Sequence, residues 1–304
     1  MSNHRKYTLP KERVKKKKQI PGAASPKLSV ATAIPSSVDL RPFCSPVRDQ
    51  LSLSSCTAFA LCAALEVEES GRQIVFSPLF QYYNERAASG EEALDSGSTM
   101  SQGVDVVEKI GVCQEHFWPY EEDLLTQRPD ERCFQDALLH KPHGMTQVEG
   151  ANSAIKHCLA SGSPVVLGIQ VYASFESPNV TRTGRVPLPQ RDEAVLGGHA
   201  VLCVGYMDDQ ACFICRNSWG SDWGDEGYFY LPYDYITEDN LISDVWRVSK
   251  EVVATPQASD PQMKFDDKGF LSFFTDQYAA KGNDFDPAMF AAAFSAAFSA
   301  ALKK

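Results

Sequence analysis

No run of about 18 apolar residues occurs in this 304-residue chain, so no membrane-spanning helix is expected. The opening residues, MSNHRKYTLPKERVKKKK, lack the apolar stretch of a secretory signal. Nothing in them is expected to send the chain through a secretion pathway, which leaves a cytoplasmic or non-classically released protein. A disulfide framework is also missing: the nine cysteines are odd in number and lack paired spacing. That usage fits a reducing compartment. Cys212 and Cys215 form a CxxC, but no second CxxC or His pair follows at zinc-finger spacing. The intervening Phe213 and Ile214 read as buried strand, so packed core thiols are expected there, without a metal. No internal repeat is present.

Hydrophobic residues make up 43% of the chain, ordinary for a globular protein with a core. The length suits two modest domains or one large one. Charge is divided unevenly. Residues 1–33 hold nine Lys and Arg and one acid, a balance of +8, while the whole chain carries −10, which leaves −18 on the remainder. A basic arm of this kind can dock on its own acidic body, bind another acidic surface such as a protein partner, or extend into solvent. The Lys15–Lys18 run keeps nucleic acid open as a partner.

Four regions are expected. Residues 1–33 form the basic arm, a tail or docked extended segment. Residues 34–145 alternate helical patterns with loops. Residues 146–250 are β-rich, and 251–304 form a C-terminal extension. Residues 55–70 read as a helix apolar on most sides, hence buried, with Ser54 or Ser55 as N-cap and Gly71 as stop. Further helices are expected over 78–88, 101–109 (ended by Gly111) and 151–161. Strands are expected over 164–171, 199–206, 211–217 and 227–231. A helical half followed by a β-rich half predicts an α+β protein of two lobes with a cleft between them. In the extension, Phe290, Phe294, Phe298 and Leu302 recur every four residues, a helical stripe that packs on its own body or on a partner. Its polar face is Ser and Ala, which argues against strong membrane attraction.

Three separated fragments carry chemistry. Gln50 to Cys56 runs into the apolar helix, Gly197-Gly198-His199 opens a strand, and Asn217-Ser218-Trp219-Gly220 leads into Trp223-Gly224 and Gly227-Tyr228. A nucleophilic thiol must be ionised, although free Cys titrates near pH 8.5. Cys56 in the first turn of a helix sits at the positive end of the macrodipole. His199 supplies the partner cation, and Asn217 orients its ring through the side-chain carbonyl. Trp219 is placed to keep water from that hydrogen bond. Gln50 is placed to donate to a developing oxyanion, beside the Cys56 N–H. No cofactor or metal is called for.

The order and spacing of Gln50, Cys56, His199, Asn217 and Trp219 resemble those of the papain-like (C1-type) cysteine peptidases. Residues 34–250 extend the likeness. Ile34-Pro35 through Val38-Asp39-Leu40-Arg41 resembles a mature N-terminus, and Pro46-Val47-Arg48-Asp49-Gln50 the approach to the oxyanion glutamine. Gly111 through Glu115 and Trp118-Pro119-Tyr120 match further family segments, and Phe76 through Arg86 is similar to a subset of microbial members. The resemblance implies a helical left lobe and a β-barrel right lobe, with Cys56 and His199 facing each other across the cleft. It implies polypeptide substrates bound by Gly97, Ser98, Met100, Gly198 and Trp219, with Met100, Gly197 and Ser243 around one subsite.

Departures are specific. Leu53 and Asp95 stand where most members have two disulfide-linked cysteines. Thr57 replaces the usual Trp after the nucleophile, Leu40 another Trp, and Ser98 the second of two glycines. No His-bearing insertion of the exopeptidase type is present, so an endopeptidase is expected. It is held back by an arm far shorter than the usual pro-segment. An isopeptidase or amidase using the same triad, and a catalytically idle binding protein, are the alternatives.

Overall fold

A computed structural model describes residues 6–10, 34–69, 74–142, 144–148, 151–238 and 240–248. The chain divides into two compact units, residues 1–253 and 254–304. The C-terminal stripe, the Lys15–Lys18 run and Gly71 lie outside the described residues. In the first unit, α1 (Cys56–Glu68), α2 (Pro78–Ala87), α3 (Met100–Ile110) and α4 (Glu131–Ala137) precede most of the sheet. The strands are β1 (Ser37–Asp39), β2 (Met145–Gln147), β3 (Val165–Tyr172), β4 (Val195–Met207), β5 (Cys212–Arg216), β6 (Tyr228–Pro232) and β7 (Ile242–Val248). Three helices, α5 (Asn152–Ala160), α6 (Pro178–Thr183) and α7 (Asp234–Thr237), lie between strands.

Every residue of α1 from Cys56 to Val67 is buried, as a helix without a polar face must be. Ser55 stands at its N-cap position but does not cap; its hydroxyl pairs with the Tyr120 hydroxyl at 2.7 Å. The helix α2 begins as the sequence suggests, with Pro78 in the first turn and the Ser77 hydroxyl accepting from the Phe80 N–H. One apolar cluster runs from Leu40 through Ala60, Leu61 and Leu65 of α1 to Val165–Leu167 of β3, Val201–Val204 of β4 and Val245 of β7. The helical segment and the sheet therefore share a core.

The sheet order is β2-β7-β3-β4-β5-β6, all antiparallel, with β1 continuing the β3 edge of β4. The α+β class holds, but the closed barrel does not form: among the described residues nothing joins β2 to β6. The outer edge of β6 is already occupied, because Tyr230 exchanges backbone hydrogen bonds with Gly184 and Val186. The opposite edge, β2, is only three residues long. Cys212 and Cys215 both lie on β5. Three positions apart on a strand they face opposite ways, so they cannot converge on one metal.

Gly111 ends α3 with φ 82° and ψ −169°, a conformation reserved for glycine. A Cβ there would stand 1.9 Å from the Ala137 carbonyl oxygen. Gly111→Ala is expected to cost about 3 kcal/mol, backbone strain plus displacement of α4. A urea midpoint equal to that of the parent would contradict this account of the turn.

Candidate active site

Cys56 is the first residue of α1 and is 1% exposed. The backbone N–H groups of Ala200, Thr57 and Cys56 itself lie near its sulfur and favour the thiolate. Ala200 follows His199 on β4, so the start of the helix abuts the strand at the histidine. Burial pushes this thiol up to about 11; the Ala200 N–H opposes that rise and the nearby Glu85 charge adds to it.

His199 is likewise buried. Its Nε2 lies 2.8 Å from Asn217 Oδ1, and the Ser218 N–H donates to the same Oδ1 at 2.9 Å. A backbone N–H only donates, so the shared atom is the amide oxygen, and Nε2 must carry the hydrogen. Nδ1 is then left to take up and release a proton. The Trp219 indole stacks on the imidazole at 5.0 Å and 25°, with Trp223 and Phe175 behind it. The Asn217 bond is thus kept dry, where it is strongest.

Gln50 is fixed from three sides. Its Nε2 donates to the Leu53 carbonyl at 2.9 Å, its Oε1 accepts from the Ser218 hydroxyl at 2.6 Å, and its carbonyl accepts from the Tyr120 hydroxyl at 2.8 Å. The same Asn-Ser-Trp segment therefore holds both His199 and Gln50. The loop before Gln50 is anchored by Arg48, which pairs with Glu66 at 2.7 Å and Glu115 at 3.2 Å.

The departures from the family pattern acquire partners. The Thr57 hydroxyl donates to Glu85 at 2.6 Å, Gln81 donates to the other Glu85 oxygen at 3.0 Å, and the Ser98 hydroxyl also reaches Glu85. Asp95 accepts from the Ser54 N–H at 2.9 Å and the Tyr82 hydroxyl at 2.6 Å. Burial pushes the Asp95 carboxyl up, but Lys6, Tyr82 and Ser54 together hold it below its ordinary value. A hydrogen bond thus connects the two segments that a disulfide joins in most relatives.

The arm passes through the site. Thr8 bridges Gly198 in parallel, and the Leu9 N–H donates to the Gly198 carbonyl at 3.2 Å. The Tyr7 ring stands edge-on to His199 and Trp219, 6.2 and 6.0 Å away, and its hydroxyl donates to Glu176. Only glycine permits this approach: a Cβ on Gly198 would lie 2.3 Å from the Leu9 oxygen, and one on Gly97 2.7 Å from Thr8 Oγ1. Leu9 is buried and lines a small cavity with Ile169, Gln170, Gly198, Asn240 and Ser243. Met100 is fully buried at the start of α3. Sequence reasoning missed Glu85, Asp95 as a hydrogen-bond centre, and Tyr7 and Leu9. The one available signal was Thr57, whose hydroxyl in an apolar helix requires an acceptor.

A thiol at a helix start and an imidazole oriented by an asparagine on the adjoining sheet fit a cysteine hydrolase of the α+β class. Residues 34–242 match the family model described as papain family cysteine protease, and the chain belongs to that family. It is 37% identical over 214 residues to an uncharacterized peptidase C1-like protein of Acanthamoeba polyphaga mimivirus, covering 66% of this chain and 69% of the relative. It is 28% identical over 222 residues to cysteine proteinase 3 of Entamoeba histolytica, covering 71% and 68%. Among solved structures it is similar to xylellain, a cysteine protease from Xylella fastidiosa, with TM-score 0.70 and 36% identity over 82% of this chain and 98% of that one.

Glu85 is 0% exposed, and burial raises its carboxyl from 4.5 to about 7. Between those values the unfolded chain has lost the proton and the folded chain keeps it. Stability contributed by the protonated form is therefore lost as pH rises through that window. Glu85→Gln has no proton to lose and keeps an acceptor for Thr57. It is expected to flatten the slope and add up to about 3 kcal/mol at about pH 8. Urea midpoints at about pH 5 and pH 8, measured in a Cys56→Ala background to prevent self-digestion, provide the check. The same pH slope in both proteins would refute the assignment.

Proposed function

We propose that this cysteine peptidase is an endopeptidase that works through a Cys56–His199–Asn217 triad and is held inactive by its own arm. The observation that carries the reading is the 2.8 Å His199–Asn217 hydrogen bond, on a strand whose next N–H favours the Cys56 thiolate. The Cys56 thiolate attacks the substrate carbonyl carbon, and the Cys56 N–H and Gln50 Nε2 stabilise the oxyanion. His199 Nδ1–H gives its proton to the departing amine, leaving an acyl thioester. His199 then takes a proton from water as that water attacks the thioester, the acid leaves, and the thiolate–imidazolium pair is regenerated. Gly97 and Gly198, which line the two sides of the arm, receive the substrate backbone in its place.

The arm covers this apparatus. While it does, the thiol stays protonated because burial dominates. When it leaves, water, the helix N-terminus and His199⁺ favour the thiolate. Leu9 is 6% exposed, and burying a leucine stabilises by roughly 1.5–3 kcal/mol. In the full chain, Tyr7→Ala with Leu9→Ala is expected to raise hydrolysis of a fluorogenic peptide about 30-fold, since each 1.4 kcal/mol is tenfold. Cys56→Ala is expected to abolish hydrolysis, together with labelling by a thiolate-trapping epoxide. Unchanged activity on loosening the arm would reject autoinhibition, and epoxide labelling that survives Cys56→Ala would reject the nucleophile.

A further inference from the structure

Asp95 is built as a cation receptor in the cleft wall. Its carboxylate is held by three neutral donors on the protein body: the Ser54 N–H at 2.9 Å, the Ser54 hydroxyl at 3.3 Å and the Tyr82 hydroxyl at 2.6 Å. These fix the group without neutralising its charge. Ser54 is two residues from Cys56, and the Tyr82 hydroxyl also accepts from the Gly97 N–H at 3.0 Å. The carboxylate therefore sits between the nucleophile's approach and the glycine against which the arm lies. Its side chain is 14% exposed, and through that opening Lys6 Nζ reaches Oδ2 at 2.6 Å. A lysine carried by an extended peptide in the cleft already occupies the receptor.

Resting on the reading of this cleft as the peptide-binding site, we infer that Asp95 is a specificity-determining residue that selects substrates carrying Lys or Arg within two residues of the cleaved bond. The arm alternates its contacts. Tyr7 and Leu9 turn toward the sheet, whereas Thr8 and Lys6 meet Gly97 and Asp95. Side chains of an extended peptide alternate in the same way. A substrate that displaces the arm presents every second side chain to the wall that holds Asp95. A neutral side chain placed there leaves a fixed, half-covered carboxylate without its counter-charge, whereas a lysine or arginine supplies it. Asp95 also connects Ser54 to Tyr82, a structural task, so its test requires a readout that reports charge.

The experiment uses the full chain carrying Lys6→Ala, Tyr7→Ala and Leu9→Ala, which empties the cleft, and a mixture-based peptide library whose cleavage products are sequenced by mass spectrometry. Lys and Arg are expected to be enriched about tenfold over norleucine at one position within two residues of the cleaved bond. One charge-assisted contact of that size corresponds to about 1.4 kcal/mol. Asp95→Asn keeps an oxygen for the Ser54 and Tyr82 donors and is expected to bring the ratio close to one. In the parental protein, acetyl-lysine in place of lysine is expected to do the same, which tests the charge from the substrate side whether or not the variant folds. Cleavage without cation enrichment, or enrichment that survives either change, overturns the role of Asp95 alone. Cleavage of no peptide at all overturns the peptide-cleft reading with it.

Discussion

The first turn of α1 is tied to three separate segments, and the proposed chemistry depends on that seat. The polar residues that flank the nucleophile each turn to a different one: Ser54 to Asp95, Ser55 to Tyr120 and Thr57 to Glu85. None is used to cap the helix in the ordinary way. Each such bond contributes only about 1 kcal/mol net, but leaving its buried partner unsatisfied costs more. Moving the sulfur would break several of them together. Ser98, beside the Gly97 that the arm contacts, also lies near Glu85, so the nucleophile's helix and that loop meet at one carboxylate.

Two demands on Cys56 conflict. A buried thiol is inert, and a working one must ionise. The fold keeps the stabilising groups in place (a helix N-terminus, the Ala200 N–H and a dry His199–Asn217 pair), and under the proposed autoinhibition the arm decides whether burial outweighs them. Reactivity then follows exposure, with no rearrangement of the triad residues required.

The parts of this structure that were legible in the sequence were those governed by one strong local rule. The helix α1 announced itself through unbroken apolarity, and α3 through Gly111. The candidate site residues lie on strongly patterned segments, which is why the sequence singles them out. The strand β7 was missed because Asp244, buried in its middle, breaks the apolar run, and a bulge at Gly168–Ile169 shifts its register. The short helices α4 and α6 carry clear caps, Asp130 in one and Ser177 with Gly184 in the other. At seven and six residues they are too brief for a periodic signal. Barrel closure was expected from family likeness, and no local rule in the sequence spoke against it. The occupancy of the β6 edge by residues 184–186 is a tertiary fact. The Thr57–Glu85 and Ser54–Asp95 pairs join residues far apart in sequence, and spacing alone could not have matched them.

The arm drew attention through charge, yet charge is a minor part of what seats its described residues. Lys6 makes one ion pair, and solvent screens it from the lysine side, which is 48% exposed. Buried Leu9, the Gly198 hydrogen bond and the Tyr7 ring edge contribute more. Salt therefore weakens the arm's long-range attraction to the acidic body without dislodging the segment in the cleft. If the arm occupies the peptide cleft as proposed, release of the enzyme and selection of its substrate are two sides of one binding equilibrium, in which a peptide displaces the arm only by matching its contacts with Gly97, Gly198 and Asp95 better.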